Sequence, residues 1–365
     1  MLVSGCKAPE TTAEPVVPSS VQTFTNVTLD SGFDTVITLV EQTSDQAAYQ
    51  THFESMCESF SYYNKLFDIY NSYEGINNLK TINDNAGIEP VSVDPELIEL
   101  LDRAEYFYTL SEQNFDVTMG SLLRVWHNYR TEGLAANEKG LRGKIPSAEE
   151  LKTAAGHRGF EYVEIDHDNN TVFITDPLVS IDAGGIAKGF ATEKTAQKLE
   201  AEGCTHAAIN AGGNNRTIGE KADGSTWNVG IQNPGGEGSI LVVHISGTQS
   251  FVTSGDYERF YLGTDGKRYH HIIDAGSGQP ASRYHSVTVI TEDSTDADAL
   301  STALFTLSFE DGNALLDKYY SETGKRAEVI WLMDPDKQVT TTRGRTVGKY
   351  YAAYTEGLEN KITWK

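Results

Sequence analysis

The chain has 365 residues, of which 39% are hydrophobic, and such a share supports a sizeable core and excludes a mainly disordered protein. Lys and Arg total 29 against 52 Asp and Glu, so the formal net charge is −23. This charge argues against nucleic-acid binding, because the chain has no surplus of cations to replace the counterions of a phosphate backbone. A polyanionic ligand would bind only where glycine amides, a helix N-terminus or a metal ion reverse the sign locally.

The first residues predict an exported and anchored protein. Val3-Ser4-Gly5-Cys6 resembles the end of a bacterial lipoprotein signal, in which small residues precede a Cys that becomes lipidated. Residues 7–23 contain three prolines and no apolar periodicity, which is typical of a tether. We therefore expect residues 1–23 to be a signal remnant and tether, and the folded body to be extracytoplasmic, anchored to the cell membrane through Cys6. The plainer alternative is a frayed terminus with a chance cysteine.

Apolar periodicity predicts an α+β fold for residues 24–365. Residues 24–40 alternate apolar and polar side chains around a turn at Asp30-Ser31-Gly32, which is typical of a β-hairpin. Helices are predicted at 45–67, 92–114 (Asp94 as N-cap, Pro95 in the first position), 121–130, 186–202, 296–307 and 310–321, and a surface excursion at 131–157. Strands are predicted at 160–166, 171–175, 178–182, 206–210, 227–232, 239–246, 250–253, 257–262, 268–274, 284–291, 327–332, 338–342 and 350–354. The hairpin spacing after residue 225 predicts mostly antiparallel sheets with packed helices.

A glycine turn at residues 179–189 is a candidate anion site. Gly184 and Gly185 leave backbone N–H groups uncovered before the predicted helix, whose N-terminus adds partial positive charge. Lys188 falls in the first helical turn, where the helix dipole disfavours a cation, so an anionic partner explains it better than helix stability does. Gly189 inside the helix suggests a close backbone approach. The spacing GGxxxG fits neither a Rossmann fingerprint nor a P-loop, and an ordinary strand-to-helix turn is the alternative.

A carboxylate inside an apolar helix is a candidate metal ligand. Asp298 is the one charged residue in 297–307, and Thr302 lies four residues later on the same helix face. Such an acid must be hydrogen-bonded, paired or bound to a metal, and its oxygen neighbours suit Mg²⁺ or Ca²⁺. Spacing alone does not decide between a metal and neighbouring amides. The three cysteines indicate neither a disulfide framework nor a zinc motif.

Two adjacent histidines, His270 and His271, are predicted to lie on the strand at 268–274. Adjacent strand residues face opposite ways, so only one of them can point at a given site. The other is then expected to be structural.

The ordered set of motifs resembles the ApbE family, the FAD:protein FMN transferases. Each motif alone is weak, but their order and spacing over roughly residues 30–360 are specific. The motifs are Asn114-Phe115-Asp116 before Gly120 and Trp126, residues 180–189, Asn210-Ala211-Gly212-Gly213, residues 227–231 ending at Pro234, residues 253–257, residues 271–274 with Gly278 and Pro280, and residues 298–302.

The resemblance implies an ApbE-like (T-fold-like) domain at 24–365, with two intertwined subdomains as one option. It also implies Mg²⁺-dependent cleavage of FAD, transfer of FMN to a Thr hydroxyl of a partner flavoprotein, and release of AMP. His271 would activate or orient that hydroxyl. Asp298, a second catalytic residue, and Thr302 would hold the metal with the Gly185 carbonyl. The residues implied to contact FAD are Tyr70, Asn114, Phe115, Asp116, Asp182, Lys188 and Ile273.

The sequence departs from the family pattern at two places: Ala275 stands where the family usually has Pro, and Ser31-Gly32-Phe33 where it has Met-Gly-Thr. Two other functions are weighed against the transferase. One is an FAD pyrophosphatase, in which water replaces the acceptor hydroxyl. The other is a tethered flavin-binding protein without chemistry, which would be expected to lack Asp298 or His271.

Overall fold

The computed structural model describes residues 20–365, so the predicted lipidation site Cys6 lies outside the described residues. The helices of that range are α1 (Gln46–Leu66), α2 (Leu79–Asp84), α3 (Pro95–Leu110), α4 (Gly120–Glu138), α5 (Ala148–Ala154), α6 (Ala187–Ala201), α7 (Ser294–Thr306) and α8 (Phe309–Thr323). Its strands are β1 (Gln22–Thr28), β2 (Ile37–Thr43), β3 (Val91–Ser92), β4 (Val163–Asp166), β5 (Thr171–Ile174), β6 (Ala207–Ala211), β7 (Asn214–Ile218), β8 (Trp227–Gln232), β9 (Ser239–Ile245), β10 (Ser250–Gly255), β11 (Tyr261–Leu262), β12 (Arg268–Tyr269), β13 (Ser286–Thr291), β14 (Glu328–Met333), β15 (Gly344–Val347), β16 (Tyr350–Tyr354) and β17 (Ile362–Trp364).

A nine-stranded sheet forms the centre of the fold, in the order β1-β2-β6-β7-β10-β13-β14-β16-β15. Every neighbouring pair in it is antiparallel. Two three-stranded sheets (β17-β9-β8 and β3-β5-β4) and a two-stranded one (β11-β12) complete the described part. The α+β class with mostly antiparallel sheets is therefore confirmed.

The two faces of the nine-stranded sheet are covered by different elements. Helices α6 and α7 pack against one face, together with α1. The sheet β17-β9-β8 covers β10, β13, β14 and β16 on the other face, in a cluster that includes Trp227, Ile231, Leu241, Val243, Phe251, Ile290, Ile330 and Leu332. Since side chains alternate along a strand, each of these central strands is buried on both faces.

The helix predictions are largely confirmed. Asp94 caps α3 by accepting a hydrogen bond from the Glu96 N–H at 2.9 Å, and Pro95 occupies the first helical position. The predicted hairpin at 24–40 is also confirmed, with β1 starting at Gln22, ahead of the domain start predicted at residue 24. The short elements α2, β3, β7 and β17 were not predicted, because so few residues carry no measurable periodicity.

Two long-range contacts explain two wrong predictions. The stretch 131–157 is not an excursion: α4 continues to Glu138 because Gly133 lies against the Tyr261 ring, and α5 follows. The stretch 178–182 is not a strand. Its backbone pairs instead with the loop before α4, where the Gly120 N–H donates to the Ser180 carbonyl at 2.8 Å.

The strand predictions at 257–262 and 268–274 are confirmed only for Tyr261–Leu262 and Arg268–Tyr269, and the one at 338–342 is wrong. β12 ends at Tyr269, since the next residue turns the chain: the Nδ1 of His270 accepts a hydrogen bond from the Ile272 N–H at 3.2 Å. The stretch 338–342 precedes β15, which begins at Gly344.

Helices α6 and α7 touch at Gly189, as its position in the sequence suggested. A Cβ atom at this residue would clash with the Ser294 carbonyl and would lie 2.5 Å from the Cβ of Asp298. Only glycine permits this separation between the helices. The contact brings the start of α6, which follows the glycine turn, directly against the acidic position of α7.

A buried polar group at Glu41, His52 and Cys204 lies on the α1 side of the sheet and was not predicted, because it joins three distant segments. Their candidate ligand atoms all lie within 4.8 Å of one another. The His52 Nδ1 is 2.9 Å from a Glu41 carboxylate oxygen. Burial, and next the Glu41 charge, raise the pKa of the Cys204 thiol to about 12. The hydrogen-bonded pair needs no further partner, and we assign this group to the core.

Candidate active site

An open cleft of about 2450 Å³ runs past the glycine turn and α4. It also borders the part of the nine-stranded sheet that the sheet β17-β9-β8 leaves uncovered. Small-molecule pockets usually measure about 300–1000 Å³, so this cleft has room for more than one small ligand. All residues that the sequence indicated for the site line it: Tyr70, Asn114, Phe115, Asp116, Asp182, Gly185, Lys188, His271, Ile273, Asp298 and Thr302.

The glycine turn is fixed by backbone and carboxylate hydrogen bonds. The Asp182 N–H donates to the Val117 carbonyl at 2.7 Å, and its Oδ1 accepts from the Gly184 N–H at 2.9 Å. Burial raises the pKa of Asp182, although the Gly184 bond and the positive charges of His127 and Arg130 oppose the shift. The turn then leads into α6, which begins without a side-chain cap.

Asp298 and Lys188 form the charged centre of the cleft. The Asp298 Oδ2 accepts a hydrogen bond from the Gly189 N–H at 2.8 Å. One carboxylate oxygen is therefore satisfied by a neighbouring amide, which was the alternative to metal binding. Burial raises the pKa of this carboxyl and lowers that of Lys188, and each charge partly offsets the other's shift. Among residues 20–365, no carboxylate lies within the 4.0 Å of an ion pair with Lys188.

The residues predicted to hold a metal lie along the same part of the cleft. A Cβ on Gly185 would lie 3.2 Å from the Thr302 hydroxyl, one helical turn along α7 from Asp298. That hydroxyl forms no hydrogen bond within the described part of the chain. The Asn214 amide, only 1% exposed, lies beside the same carboxylate and also forms none of 3.5 Å or less there. Carboxylate, hydroxyl and carbonyl oxygens are the donors that Mg²⁺ prefers, so the set fits that ion.

The structure separates the roles of the two histidines. The Nε2 of His270 donates to the Ala281 carbonyl at 2.7 Å and its Nδ1 accepts from Ile272, so this ring is structural. His271 lines the cleft, and its buried Nδ1 has no hydrogen-bond partner in residues 20–365. Burial, and next the positive charges around it, lower the pKa of His271 to about 3. The ring is therefore neutral at pH 7, and the same shift makes it a weak base in the free protein.

Three cationic or basic side chains at the cleft were missed in the sequence. Arg130 and His127 come from α4, and the His127 Nδ1 lies 3.1 Å from Arg130 Nη2 and 3.2 Å from the Tyr70 hydroxyl. Arg259 follows β10 at a positive φ of 42° and reaches the Phe33 carbonyl at 3.4 Å. The spacing of His127 and Arg130 on a predicted helix was the one available signal.

The predicted flavin-side residues form a largely self-bonded wall. The Asn114 amide donates to the Ser111 carbonyl at 2.8 Å, and Phe115 is buried. The Asp116 Oδ1 accepts from the Thr118 N–H at 2.8 Å, and burial raises the pKa of this carboxyl. Ile273 is buried against α4. Asn114 and Asp116 thus form their hydrogen bonds within their own turn.

Comparisons with known proteins identify the family of this chain. Residues 32–325 match the ApbE family. An FAD:protein FMN transferase of Treponema pallidum is 36% identical over 282 residues, which cover 73% of this chain and 73% of that protein. Another, from Klebsiella pneumoniae, is 32% identical over 263 residues, or 69% of this chain and 77% of that protein. The crystal structure of the Thermotoga maritima ApbE protein matches with a TM-score of 0.72 and 32% identity, over 86% of this chain and 94% of that one.

The chain belongs to the ApbE family. The resemblance drawn from the motifs is therefore confirmed, while the roles of individual site residues stay predictions.

Both departures from the ApbE pattern lie at the cleft or against it. The Ala275 carbonyl accepts a hydrogen bond from Arg158 Nη1 at 2.6 Å, which fixes the turn after Ile273 without a proline. Phe33 takes a positive φ of 59°, and its N–H donates to Asn64 Oδ1 at 2.7 Å. Its carbonyl is the group that Arg259 contacts. Both segments are thus held by side chains from distant parts of the fold.

The lowered pKa of His271 predicts a pH dependence of stability. Between the ordinary value of 6.5 and about 3, the unfolded state binds the proton and the folded state does not. Unfolding therefore becomes easier as the pH falls through this window. The measurement is the urea midpoint of His271→Gln minus that of the parent protein at two pH values. We expect this difference to be more favourable to the variant at pH 5 than at pH 7.5. An unchanged difference at the two pH values would mean that the ring is protonated in the folded protein.

Proposed function

We propose that this chain is a Mg²⁺-dependent FAD:protein FMN transferase, which attaches FMN through a phosphoester to a Thr of a partner flavoprotein and releases AMP. One observation carries the proposal: a single cleft of an ApbE-family chain brings together Lys188, the oxygens of Asp298, Thr302 and Gly185, and the neutral ring of His271. Each of these groups suits one requirement of pyrophosphate cleavage.

The cleft supplies positive charge for the pyrophosphate although the chain carries a net charge of −23. Lys188, Arg130 and Arg259 all line it. The uncapped N-terminus of α6 adds the partial positive charge of the helix dipole. These groups would bind the phosphates of FAD and orient the bond that breaks.

Asp298, Thr302 and the Gly185 carbonyl would hold Mg²⁺. A bound Mg²⁺ would supply positive charge that stabilises the pyrophosphate oxygens as the phosphorus–oxygen bond breaks. Asp298 has one oxygen bonded to the Gly189 N–H, which leaves its other oxygen for an ion. The Gly189 bond also fixes the rotamer of the carboxylate before any ligand binds.

His271 would accept the proton of the attacking hydroxyl. The Thr oxygen forms a bond to the phosphorus of the FMN half, the bond from that phosphorus to the bridging oxygen breaks, and AMP leaves with the bridging oxygen. The charges of Arg259, Arg130 and Lys188 all lower the pKa of His271 in the free protein. Because bound pyrophosphate offsets those charges, FAD raises this pKa and makes the ring a better base.

We further propose that lipidation of Cys6 anchors this domain outside the cytoplasm. The support is the sequence of residues 1–23 alone. Within residues 20–365, no helix has both the length and the apolar character that crossing a membrane would require.

Replacing Asp298 tests the metal assignment. Asp298→Ala is expected to abolish Mg²⁺-dependent FAD cleavage, because the only charged ligand of the set is removed, and Thr302→Val is expected to weaken it less, because a hydroxyl is a neutral ligand. Release of AMP across a Mg²⁺ titration is the measurement. Cleavage by Asp298→Ala with the parent's Mg²⁺ dependence would contradict the assignment.

Replacing each histidine in turn tests the base. His271→Ala is expected to keep FAD binding and to lose about 10²–10⁴ in turnover, the usual contribution of a general base. Its neighbour provides the control: His270→Ala should lower the urea midpoint, because two hydrogen bonds are lost, with less effect on turnover.

The readout is FMN transfer to a candidate acceptor with an Asp-x-x-Ser/Thr-Gly-Ala-Thr site, followed by in-gel flavin fluorescence, with AMP release measured in parallel. Parent-like turnover of His271→Ala would make this residue a core histidine. AMP release by the parent without labelled acceptor would instead identify an FAD pyrophosphatase.

A further inference from the structure

Strand β8 has an unpaired edge. It is the last strand of the sheet β17-β9-β8, and in residues 20–365 only β9 pairs with it. Edge strands are usually protected by charged residues or proline, since a free edge invites another strand. The sequence Trp-Asn-Val-Gly-Ile-Gln of β8 contains neither.

The register shows which backbone groups of β8 are free. The His244 N–H donates to the Lys361 carbonyl at 2.8 Å, so His244 faces β17 and not β8. The pairs Asn228–His244 and Gly230–Val242 are therefore non-hydrogen-bonded pairs of the antiparallel ladder. The N–H and C=O groups of Asn228 and Gly230 point out of the sheet at the open edge.

This edge faces the cleft that contains the proposed active site. All six residues of β8 line the cleft, and a strand whose two faces both border a space presents its edge to that space. The uncovered strands β2, β6 and β7 form the floor beside it. The floor side chains are mostly small: Thr38, Val40, Ala208, Asn210, Asn215 and Thr217.

β8 also runs toward the catalytic end of the cleft. β7 begins at Asn214, beside Asp298, and leads to Gly219, whose carbonyl accepts a hydrogen bond from the Trp227 indole at 2.9 Å. The start of β8 is therefore the distant end. A segment placed along β8 would follow the floor back toward Asp298.

We propose that the free edge of β8 binds the acceptor polypeptide as an added strand and delivers its Thr hydroxyl to the catalytic end. This inference rests on the proposed transferase function. A polypeptide suits this edge because outward N–H and C=O groups at alternate residues complement another extended backbone. The volume of the cleft leaves space for such a strand beside FAD.

A proline at the edge tests the proposal. Asn228→Pro removes an outward N–H without removing a backbone bond of the β8–β9 ladder. It also removes the bonds of Asn228 Oδ1 to His244 and Thr226, so Asn228→Ala, which loses only those bonds, is measured beside it and should keep the parent's acceptor KM. We expect Asn228→Pro to raise the KM for the acceptor protein at least about tenfold while the Kd for FAD stays at the parent value. Thr25→Pro is the matched control, because Thr25 is exposed on the edge strand β1 and does not line the cleft. It should leave the acceptor KM unchanged.

A modified acceptor peptide provides a test that leaves the protein intact. A fluorescent peptide centred on the acceptor Thr is N-methylated at every second residue, in either of the two possible registers. Only the register whose N–H groups face β8 should lose binding in anisotropy titrations with the full chain, by at least about tenfold. Equal affinities for both registers would overturn strand addition.

The outcomes separate this inference from the function on which it rests. Parent-like acceptor KM for Asn228→Pro, with transfer intact, overturns the β8 contact alone. A parallel loss of FAD affinity in Asn228→Pro overturns it as well, because the edge would then serve the adenosine half of FAD. Absence of transfer by the parent protein contradicts the transferase function, while the peptide titrations still decide whether the edge binds a strand.

Discussion

The hydrogen bond from the Gly189 N–H to the Asp298 carboxylate is the contact on which the proposed site depends. It exists because α6 and α7 approach so closely that a Cβ on Gly189 would overlap the Ser294 carbonyl. The same approach puts the glycine turn beside Thr302 and Lys188 beside Asp298. One helix contact thus sets the positions of the anion-binding turn, the candidate metal ligands and the lysine together.

The cleft brings cations and carboxylates of an acidic protein close together. Lys188, Arg130 and Arg259 are gathered there, and their charges contribute to the low pKa of His271. Burial meanwhile raises the pKa of Asp182 and Asp298, so the acids gain from any cation placed near them. Such a set of opposed charges in one partly buried place is costly without a ligand, and a pyrophosphate with its cation would neutralise both kinds of group.

Local patterns were sufficient to predict most elements and to mark Asp298, Thr302 and the glycine turn as candidates, whereas the predicted role of His271 came from the family resemblance. The spacing of Asp298 and Thr302 and the glycine turn each lie within one short segment, so their geometry follows from helix and turn rules. Arg259 and His127 were missed because they join the cleft from distant segments, and the spacing of His127 and Arg130 on α4 does not by itself indicate a ligand. The strand predicted at 178–182 was wrong for a related reason, since its backbone pairs with a loop that only the tertiary fold brings near. The free edge of β8 likewise could not be predicted, because β17, at the other end of the sequence, pairs with β9 and leaves β8 at the opposite edge.

The most direct test of the account is the thermodynamic coupling between Mg²⁺ and FAD in the parent protein. Flavin fluorescence titrations would give the Kd for FAD without Mg²⁺ and with saturating Mg²⁺, and calorimetry the Kd for Mg²⁺ with and without FAD. If Asp298, Thr302 and Gly185 hold the ion against the pyrophosphate, each ligand should tighten the other by the same factor, about tenfold or more. Independent binding of the two ligands would contradict the shared site.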